Sequence, residues 1–339
     1  MPRVQARRGA VVAAAAVLAV VLVAVLAACS SGSSPGEPAS GGRPTPGSES
    51  ASPSTSAPSS SPGTPSSPTA PESTPAPTSA APRPDVTELL VFVVENHSFE
   101  QMRAEMPWLA GLATRYGYAT DYRALAHPSL PNYLAIAGGD MFGVTDDLPP
   151  AAHPVPGPSV FGRALAAGGT ATTYAEGMTE PCQQVNGGRY AVRHNPWAYV
   201  RSEADLCRQH DLPLTELAGD VRSGSLPQVG LVVPDTCNDA HDCSLAQADA
   251  WLQDQVGAVL AGPDFASGHL AVVVTADEDD EHHGNRVLTV VAHPALRHEV
   301  VTRRLDHYSL SRAYAEAAGF PPLGNAADAP SLLQAFGLR

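Results

Sequence analysis

The sequence contains no lysine, and all 20 of its basic residues are arginine. This absence excludes chemistry that depends on a P-loop lysine, a lysine Schiff base or a pyridoxal-type anchor. Kinases and ATPases are therefore not expected. Positive charge is scarce overall, because 34 acidic residues give the chain a formal net charge of −14. Nucleic acid is not an expected partner, since binding to its backbone needs a basic surface.

Cysteine is also scarce, and five residues are an odd count that needs an explanation in an exported protein. Residues 1–28 predict an export signal, because three arginines precede an acid-free apolar run that ends at Ala28. A transmembrane helix is the alternative, since the run is almost long enough to span a bilayer. The small residues before Cys29 resemble the bacterial lipobox. We therefore expect Cys29 to be lipidated and to anchor the chain outside the cytoplasmic membrane.

A lipidated Cys29 leaves an even set of four cysteines, and an oxidising compartment permits disulfides. Four cysteines allow three pairings. The pairing Cys182–Cys207 with Cys237–Cys243 is preferred because each bond closes a local loop, and the other two pairings stay open. Zinc binding is a weaker alternative, since the spacings differ from those of common zinc modules.

Residues 29–84 are rich in Ser, Pro, Thr, Gly and Ala and have few large apolar side chains. Such a segment cannot bury enough surface to offset the entropy of ordering it. We expect a disordered tether over this segment. Residues 85–339 are then the folded catalytic domain, and they are numerous enough to bury one large core.

Short apolar runs alternate with helical patterns in this domain. Continuous runs rich in β-branched residues predict buried strands at Glu88–Val94, Gln228–Pro234, Leu270–Thr275 and Arg286–Ala292. Helical patterns lie at Leu130–Ala137, Leu245–Leu260 and Ser309–Ala318. The alternation predicts an α/β fold with a mainly parallel central sheet and helices on both faces.

Polar residues follow three of these strands. Glu95 and Asn96 end the first, acids and histidines from Asp235 to Asp242 follow the second, and Asp277–Asp280 follow the third. Because ligands bind beyond the carboxyl ends of parallel strands, these residues predict a site, with solvated loops as the alternative. Clustered acids are most stable around a cation, so we expect a divalent metal ion of open identity and number. Such an ion can polarise a phosphoryl oxygen.

The candidate nucleophile is Ser129, which stands just before the predicted helix Leu130–Ala137. Free backbone N–H groups at a helix start bind phosphate and stabilise an attacking oxygen. An ordinary N-cap serine is an equally good explanation on local grounds. The lipase motif Gly-x-Ser-x-Gly is absent around Ser129, which disfavours a carboxylesterase.

Seven stretches of the sequence, in order, resemble the bacterial and fungal phosphoesterase family of secreted acid phosphatases and phospholipases C. They are VVENHSFEQM, HPSLPNYLAIAGG, YAEGM, YAVRHNPWAYV, VVPDTCNDAHDCS, VVVTADEDD with GNRV, and DHYSLSRAYAEAAGFPPLGNA. The resemblance is strongest to small actinobacterial acid phosphatases, some of which act on phosphatidylinositol 3-phosphate. It implies an alkaline-phosphatase-like three-layer sandwich.

The resemblance also implies roles for individual residues. Ser129 matches the family nucleophile, which forms a phosphoserine intermediate. Glu95 and Asn96 match the pair that holds metal or phosphate, and Asp277 with Glu278 matches an acidic pair implied as metal ligands. Two-metal members of the superfamily have Asp-His where this chain has Asp-Glu, so the number of metal ions stays open.

Several histidines and their neighbours are further candidates. The resemblance implies that His241 contacts phosphate or protonates the leaving group, and that His307 has a similar site role. The possible secondary site residues are His127, Glu176, Arg193, His194 and Asp239. For His127 the alternative is a loop histidine under the turn, for His194 a structural cap, and for Glu176 a buried salt bridge to Arg193.

These features predict an exported phosphomonoester hydrolase of the acid phosphatase type, with a phosphate ester as substrate and no protein partner indicated. The first alternative is a phospholipase C, which uses the same site but releases diacylglycerol. The second is a non-catalytic surface lipoprotein, which the intact set of Ser129 and both acidic pairs disfavours.

Overall fold

A computed structural model of the chain describes residues 85–339. The predicted export signal, the predicted lipidation site Cys29 and the predicted tether lie outside the described residues. Within residues 85–339, no helix has both the length and the apolar character needed to cross a membrane.

A nine-stranded sheet organises the described residues. Its strands are β1 (Glu88–Val94), β2 (Gly117–Arg123), β3 (Ala171–Ala175), β4 (Asp211–Pro213), β5 (Val229–Val233), β6 (Leu270–Ala276), β7 (Arg286–Ala292), β8 (Glu299–Val301) and β9 (Leu305–Asp306). The spatial order is β4-β3-β5-β1-β6-β7-β2-β8, and β9 pairs with β2. The first strand in sequence therefore lies inside the sheet, between β5 and β6.

Ten α-helices pack around the sheet in the described residues. They are α1 (Phe99–Glu105), α2 (Pro107–Arg115), α3 (Ser129–Gly138), α4 (Val160–Ala166), α5 (Ala204–His210), α6 (Leu217–Ser223), α7 (Leu245–Leu260), α8 (Pro263–Ser267), α9 (His307–Ala318) and α10 (Leu332–Ala335). Helix α9 packs on β1 and β5 beside α3, α4 and α10, whereas α1 and α2 pack on β7 and α8 packs on β6.

The central strands are apolar along their whole length because helices cover both faces of the sheet. Every residue of β6 and β5 is buried, and so is every residue of β1 after Glu88. On one face Phe92 of β1 meets the edge of Trp251 of α7, and on the other face Tyr314 of α9 donates to the Gly230 carbonyl of β5. Burial on both faces is the environment that Val-rich, non-alternating strands require. The predicted α/β fold with helices on both faces is confirmed.

Strand β7 differs from the parallel arrangement that its sequence pattern suggested. Among the described strands, β7 alone runs opposite to the others, since it pairs antiparallel with both β6 and β2. The reason is the short connection from β6, residues 277–285. A parallel return needs a crossover of about a dozen residues or more, usually with a helix. This connection places the start of β7 beside the carboxyl end of β6.

Two disulfides brace the loops near that end of the sheet. The structure contains the Cys182–Cys207 and Cys237–Cys243 bonds, with Cα–Cα distances of 5.3 and 4.7 Å. The preferred pairing is therefore confirmed. The second bond closes the loop after β5 that carries Asp239 and His241.

Candidate active site

The carboxyl ends of β1, β5 and β6 are adjacent in the sheet, and the polar residues that follow them meet there. The Glu95 N–H after β1 donates to the Asp239 carbonyl after β5 at 2.8 Å. The Asp277 N–H after β6 donates to the Val94 carbonyl at 3.0 Å. These backbone bonds fix three separate segments of the chain around one point.

Ser129 is the first residue of α3, and its side chain does not cap the helix. The N-cap position is Pro128, which has no side-chain cap, and the Ser129 hydroxyl instead donates to Glu95 Oε2 at 3.0 Å. Ser129 is only 3% exposed. A serine kept only as a helix cap would bond the backbone of its own first turn, so the N-cap explanation does not fit this geometry.

Glu95 is fully buried and is contacted by three side chains. Tyr133, one helical turn after Ser129 on α3, donates its hydroxyl to Glu95 Oε1 at 2.5 Å. His194 Nε2 lies 3.2 Å from Glu95 Oε2, and the His194 ring stacks on Tyr133 at 5.2 Å between centroids. Burial alone would raise the pKa of Glu95, but the His194 charge and the hydrogen bonds of Tyr133 and Ser129 lower it. Glu95 is therefore held as a carboxylate beside the serine hydroxyl.

His194 connects Glu95 with Asp239. Its Nδ1 lies 3.2 Å from Asp239 Oδ2, so the ring stands between two buried carboxylates. Burial would lower the pKa of His194, but the charges of Glu95 and Asp239 raise it to about 9. Burial raises the pKa of Asp239 to about 6 despite this partner. The imidazolium partly neutralises the acidic cluster.

The acidic pair after β6 carries uncompensated charge. Burial, together with the charges of Glu95 and Glu278, raises the pKa of Asp277 well above its usual value. Burial and the charges of Glu95 and Asp147 raise the pKa of Glu278 to about 9. Asn96 adopts a positive φ of 55° and gives its backbone N–H to Asp277 Oδ1 at 3.3 Å.

These donors fit a divalent cation. Within the described residues Asp277 Oδ2 is buried and has no hydrogen-bond partner. Ligand atoms of Glu95, His194 and Asp239 lie within 4.8 Å of one another. Hard cations prefer carboxylate oxygens, and a cation would remove the repulsion that raises the pKa of Asp277 and Glu278.

The start of α3 offers fewer donors than a typical helix. Pro131 has no N–H, and the Leu130 N–H donates to Asp147 Oδ1 at 2.9 Å. Of the first three residues, only Ser129 is left with an N–H group for a ligand. Asp147 Oδ2 also lies 3.7 Å from Arg193 Nε, so this carboxylate ties the helix start to an arginine.

His241 lies at the rim of the site. Its Nε2 is 3.0 Å from the Arg193 guanidinium, and its Nδ1 is 2.8 Å from Asp242 Oδ1. Because a guanidinium can only donate, Nε2 is the acceptor and carries no proton in this arrangement. Protonation of a leaving group from Nε2 therefore requires Arg193 to move first.

His307 lies beneath the site. It is fully buried, with Nδ1 3.0 Å from the Tyr122 hydroxyl and Nε2 2.6 Å from the Asp277 carbonyl. Burial lowers its pKa to about 4, so the ring is neutral. With both nitrogens engaged, His307 supports the Asp277 backbone and does not face the ligand position.

The two remaining secondary candidates, His127 and Glu176, contact neighbouring residues of the site loops. His127 Nδ1 lies 3.2 Å from Glu278 Oε2, and its Nε2 lies 3.2 Å from Asp279 Oδ1. Glu176 makes no ion pair with Arg193. It accepts from the Asp235 N–H, from Asn238 and from Trp251, which shapes the loop after β5.

For three residues of this site the sequence predicted no role. Tyr133 and Asn132 lie three to four residues after Ser129, on one face of a helix, so spacing was a usable signal. Asn132 Nδ2 donates to Glu278 Oε2 at 3.3 Å, and its Oδ1 accepts from the Leu125 and Ala126 N–H groups. Asp147 lies in an irregular loop without any periodic signal.

The α/β sheet, with its polar site at the carboxyl ends of the strands, is similar to the fold of proteins in the alkaline-phosphatase superfamily. A solved structure of a protein in that superfamily from Vibrio parahaemolyticus matches with a TM-score of 0.52 at 10% identity, covering 75% of this chain and 72% of that one. The lipoteichoic acid synthase LtaP from Listeria monocytogenes matches with a TM-score of 0.50 at 9% identity, covering 72% and 76%. Identities this low show the fold alone.

The chain belongs to the Phosphoesterase family, whose model matches residues 102–317. It is 29% identical over 265 residues to a phosphatidylinositol-3-phosphatase of Mycobacterium tuberculosis, which covers 76% of this chain and 86% of that protein. It is 30% identical over 250 residues to a phosphate-repressible acid phosphatase of Penicillium chrysogenum, covering 68% of this chain and 58% of that longer protein. The chain is a hydrolase of phosphoric esters.

Proposed function

We propose that this chain is an exported phosphomonoesterase that transfers the phosphoryl group of its substrate to Ser129. The hydrogen bond from the Ser129 hydroxyl to Glu95 Oε2 carries the proposal, because it joins a buried serine to an ionised carboxylate. The phosphatidylinositol-3-phosphatase relative supports a phosphorylated lipid as one candidate substrate.

In the first step the Ser129 oxygen attacks phosphorus, and its proton passes to Glu95 Oε2. The phosphorus–Oγ bond forms while the bond from phosphorus to the leaving oxygen breaks. Once Arg193 has turned to bind the phosphoryl oxygens, His241 Nε2 takes a proton from solvent and gives it to the leaving oxygen. Water then attacks phosphorus and gives a proton to His241 Nε2, the bond from phosphorus to the Ser129 oxygen breaks, and phosphate leaves as the Glu95 proton returns to the Ser129 oxygen.

Glu95, Asn96, Asp277 and Glu278 would hold a divalent cation, with the Asp239 carboxylate nearby. A bound cation neutralises charge on the transferring group and lowers the pKa of an oxygen nucleophile. Tyr133 and His194 keep Glu95 oriented whether or not the cation is present.

The substitution Ser129→Ala tests the nucleophile. We expect kcat on a chromogenic phosphomonoester to fall by roughly a thousandfold or more, and mass spectrometry of acid-quenched enzyme to find phosphoserine at Ser129 in the wild type. The matched control is Ser159→Ala, which removes a buried serine that does cap a helix, α4. A folded Ser129→Ala enzyme with retained turnover contradicts the proposal. Release of phosphocholine in place of phosphate from a phospholipid would identify a phospholipase C.

We also propose that residues 1–28 direct export, that Cys29 carries a lipid and that residues 29–84 tether the catalytic domain. Both disulfides support an oxidising compartment. Partition of the wild type into a detergent phase, against a Cys29→Ala variant that stays in the aqueous phase, tests the anchor. Equal partition of the two would refute it.

A further inference from the structure

A carboxylate that the proposed reaction does not use occupies the start of α3. Asp147 Oδ1 accepts from the Leu130 N–H at 2.9 Å, one residue beyond the nucleophile. The helix has ten residues, and its dipole and the backbone N–H group of Ser129 favour an anion at this end. Asp147 therefore fills a position that suits a phosphoryl oxygen.

The same side chain also engages the arginine of the site. Asp147 Oδ2 lies 3.7 Å from Arg193 Nε, and the two side chains are 32% and 18% exposed. Arg193 in turn donates to His241 Nε2 at 3.0 Å. One carboxylate thus contacts both a backbone donor and a cation, which are the two kinds of partner that a phosphate group binds.

Neighbouring contacts hold Asp147 in this position. Asp146 accepts from the Leu148 N–H at 3.0 Å and lies 2.5 Å from His153 Nε2. The Tyr199 hydroxyl donates to the Leu148 carbonyl at 3.1 Å. Contacts on both sides of Asp147 make its placement part of the folded loop.

A further acid is unfavourable for binding an anion. The Asp147 charge acts on Glu278, whose pKa it helps to raise, and on Tyr199, whose pKa is raised first by burial and then by Asp147. Glu95, Asp277 and Asp239 already surround the same point. Asp147 adds negative charge to these carboxylates and also occupies the Leu130 N–H and Arg193, which could otherwise bind phosphate. It therefore competes with the substrate.

We propose that Asp147 is a positioning residue that acts as an internal competitor for the phosphate position. An arriving phosphoryl group displaces the Asp147 carboxylate from the Leu130 N–H and from Arg193. After hydrolysis the carboxylate returns to both partners, which favours release of inorganic phosphate. This inference rests on the proposed function, because it assigns the vacated partners to the phosphoryl group of that reaction.

Isothermal titration calorimetry of the purified protein with inorganic phosphate tests the competition. Asp147→Asn keeps an acceptor for the Leu130 N–H and removes the charge. We expect it to bind phosphate about tenfold more tightly and to lower both KM and the inhibition constant of phosphate. Asp205→Asn, which removes an 87% exposed side-chain carboxylate, is the matched charge control and should change none of these.

The substitution Asp147→Asn made in an Arg193→Gln protein tests whether tighter phosphate binding depends on Arg193. In Arg193→Gln protein, the change of Asp147 to Asn should tighten phosphate binding much less, since the freed cation is missing. Asp147→Ala provides a second test if the Asn variant melts at a lower temperature than the wild type. Phosphate affinity in Asp147→Asn and Asp147→Ala that equals or falls below the wild-type value overturns the inference. If the wild-type protein hydrolyses no phosphate ester, the proposed function is refuted. The phosphate affinities of the variants still decide whether Asp147 competes with phosphate.

Discussion

At the scale of single residues, the site depends on how one buried carboxylate is held. Glu95 receives the hydroxyls of Ser129 and Tyr133 and lies beside His194. Each partner comes from a different place in the chain or a different turn of a helix. A carboxylate with this many donors stays ionised although it is buried, which is what a proton acceptor for a serine needs.

Tyr133→Phe removes one of these donors and keeps the ring that stacks on His194. We expect kcat/KM for a phosphomonoester to fall roughly ten- to a hundredfold, because a hydrogen bond to a charged group is worth about 1.5–3 kcal/mol. The matched control is Tyr174→Phe, which removes a buried hydroxyl that donates to Asp220. Steady-state kinetics with thermal melting separates the two variants. Equal activity of both would show that the Tyr133 hydroxyl does not serve Glu95.

The proximity of the polar residues after the strands was predictable, because the carboxyl ends of parallel strands lie at the same edge of a sheet. Glu95 and Asp277 follow apolar runs in the sequence, and Ser129 precedes a visible helical pattern. The role of Asp147 was not predictable from sequence. Its partners, Leu130 and Arg193, lie 17 and 46 positions away, on different elements, and no local pattern encodes that meeting. The placement of His307 was not predictable either, because its partner Tyr122 lies in a strand that the sequence pattern did not reveal.

At the scale of elements, the long buried segments matched their patterns and the short ones did not. The bounds of β1 and α7 agree with the predicted ranges Glu88–Val94 and Leu245–Leu260. Strand β2 was missed because its sequence, GYATDYR, mixes polar and apolar residues in a partly exposed strand. Strands β4, β8 and β9 have two or three residues each, too few to show a period.

A buried carboxyl group in the short strand β4 makes the free energy of unfolding depend on pH. Asp211 begins β4 and is fully buried, where it accepts hydrogen bonds from Thr173 of β3 and from Asn195. Burial raises its pKa to about 7 in spite of these bonds. In the unfolded chain the carboxyl titrates near 3.9. The folded protein thus retains a proton that the unfolded chain loses, and stability falls as pH rises from about 4 to about 7.

Asp211→Asn mimics the protonated carboxyl, since an amide can donate to the Thr173 oxygen and still accept from Asn195. We expect the variant to match the wild type near pH 4 and to exceed its unfolding free energy above pH 7 by at most roughly 4 kcal/mol. Urea denaturation across this pH range measures the difference. Thr173→Val removes a bond that lowers the pKa, so its transition should move to higher pH. A constant difference between Asp211→Asn and the wild type at every pH would contradict the assignment.

At the scale of the whole molecule, several acidic side chains are brought together by the sheet without enough positive charge. His194 compensates for part of this charge, and the remainder predicts that a divalent cation stabilises the fold. Adding magnesium or manganese at about 100 times its Kd should raise the free energy of unfolding by about 2.7 kcal/mol.

Asp277→Asn should abolish the rise in Tm on adding cation and should also make the cation-free protein more stable, because a buried, unpartnered carboxylate oxygen is removed. Differential scanning calorimetry with cation and with chelator provides the measurement. The matched control is Asp280→Asn, in the same loop but part of the separate group Asp279, Asp280 and His283. If Asp280→Asn loses the shift and Asp277→Asn keeps it, the cation binds at that other group.

The position of β1 has a consequence for the order in which the enzyme is built. Leu90 pairs with Gly230 on one side and with Val272 on the other, so β1 is fully paired only when the later strands β5 and β6 are both present. Until then a nearly continuous apolar segment has no partner, and contacts between distant residues form slowly. A ribosome that stalls before β6 leaves β1 without one of its two neighbouring strands, and Asp277 and Glu278 are then missing from the site. The chain therefore remains inactive until β6 and the acidic residues after it have been added.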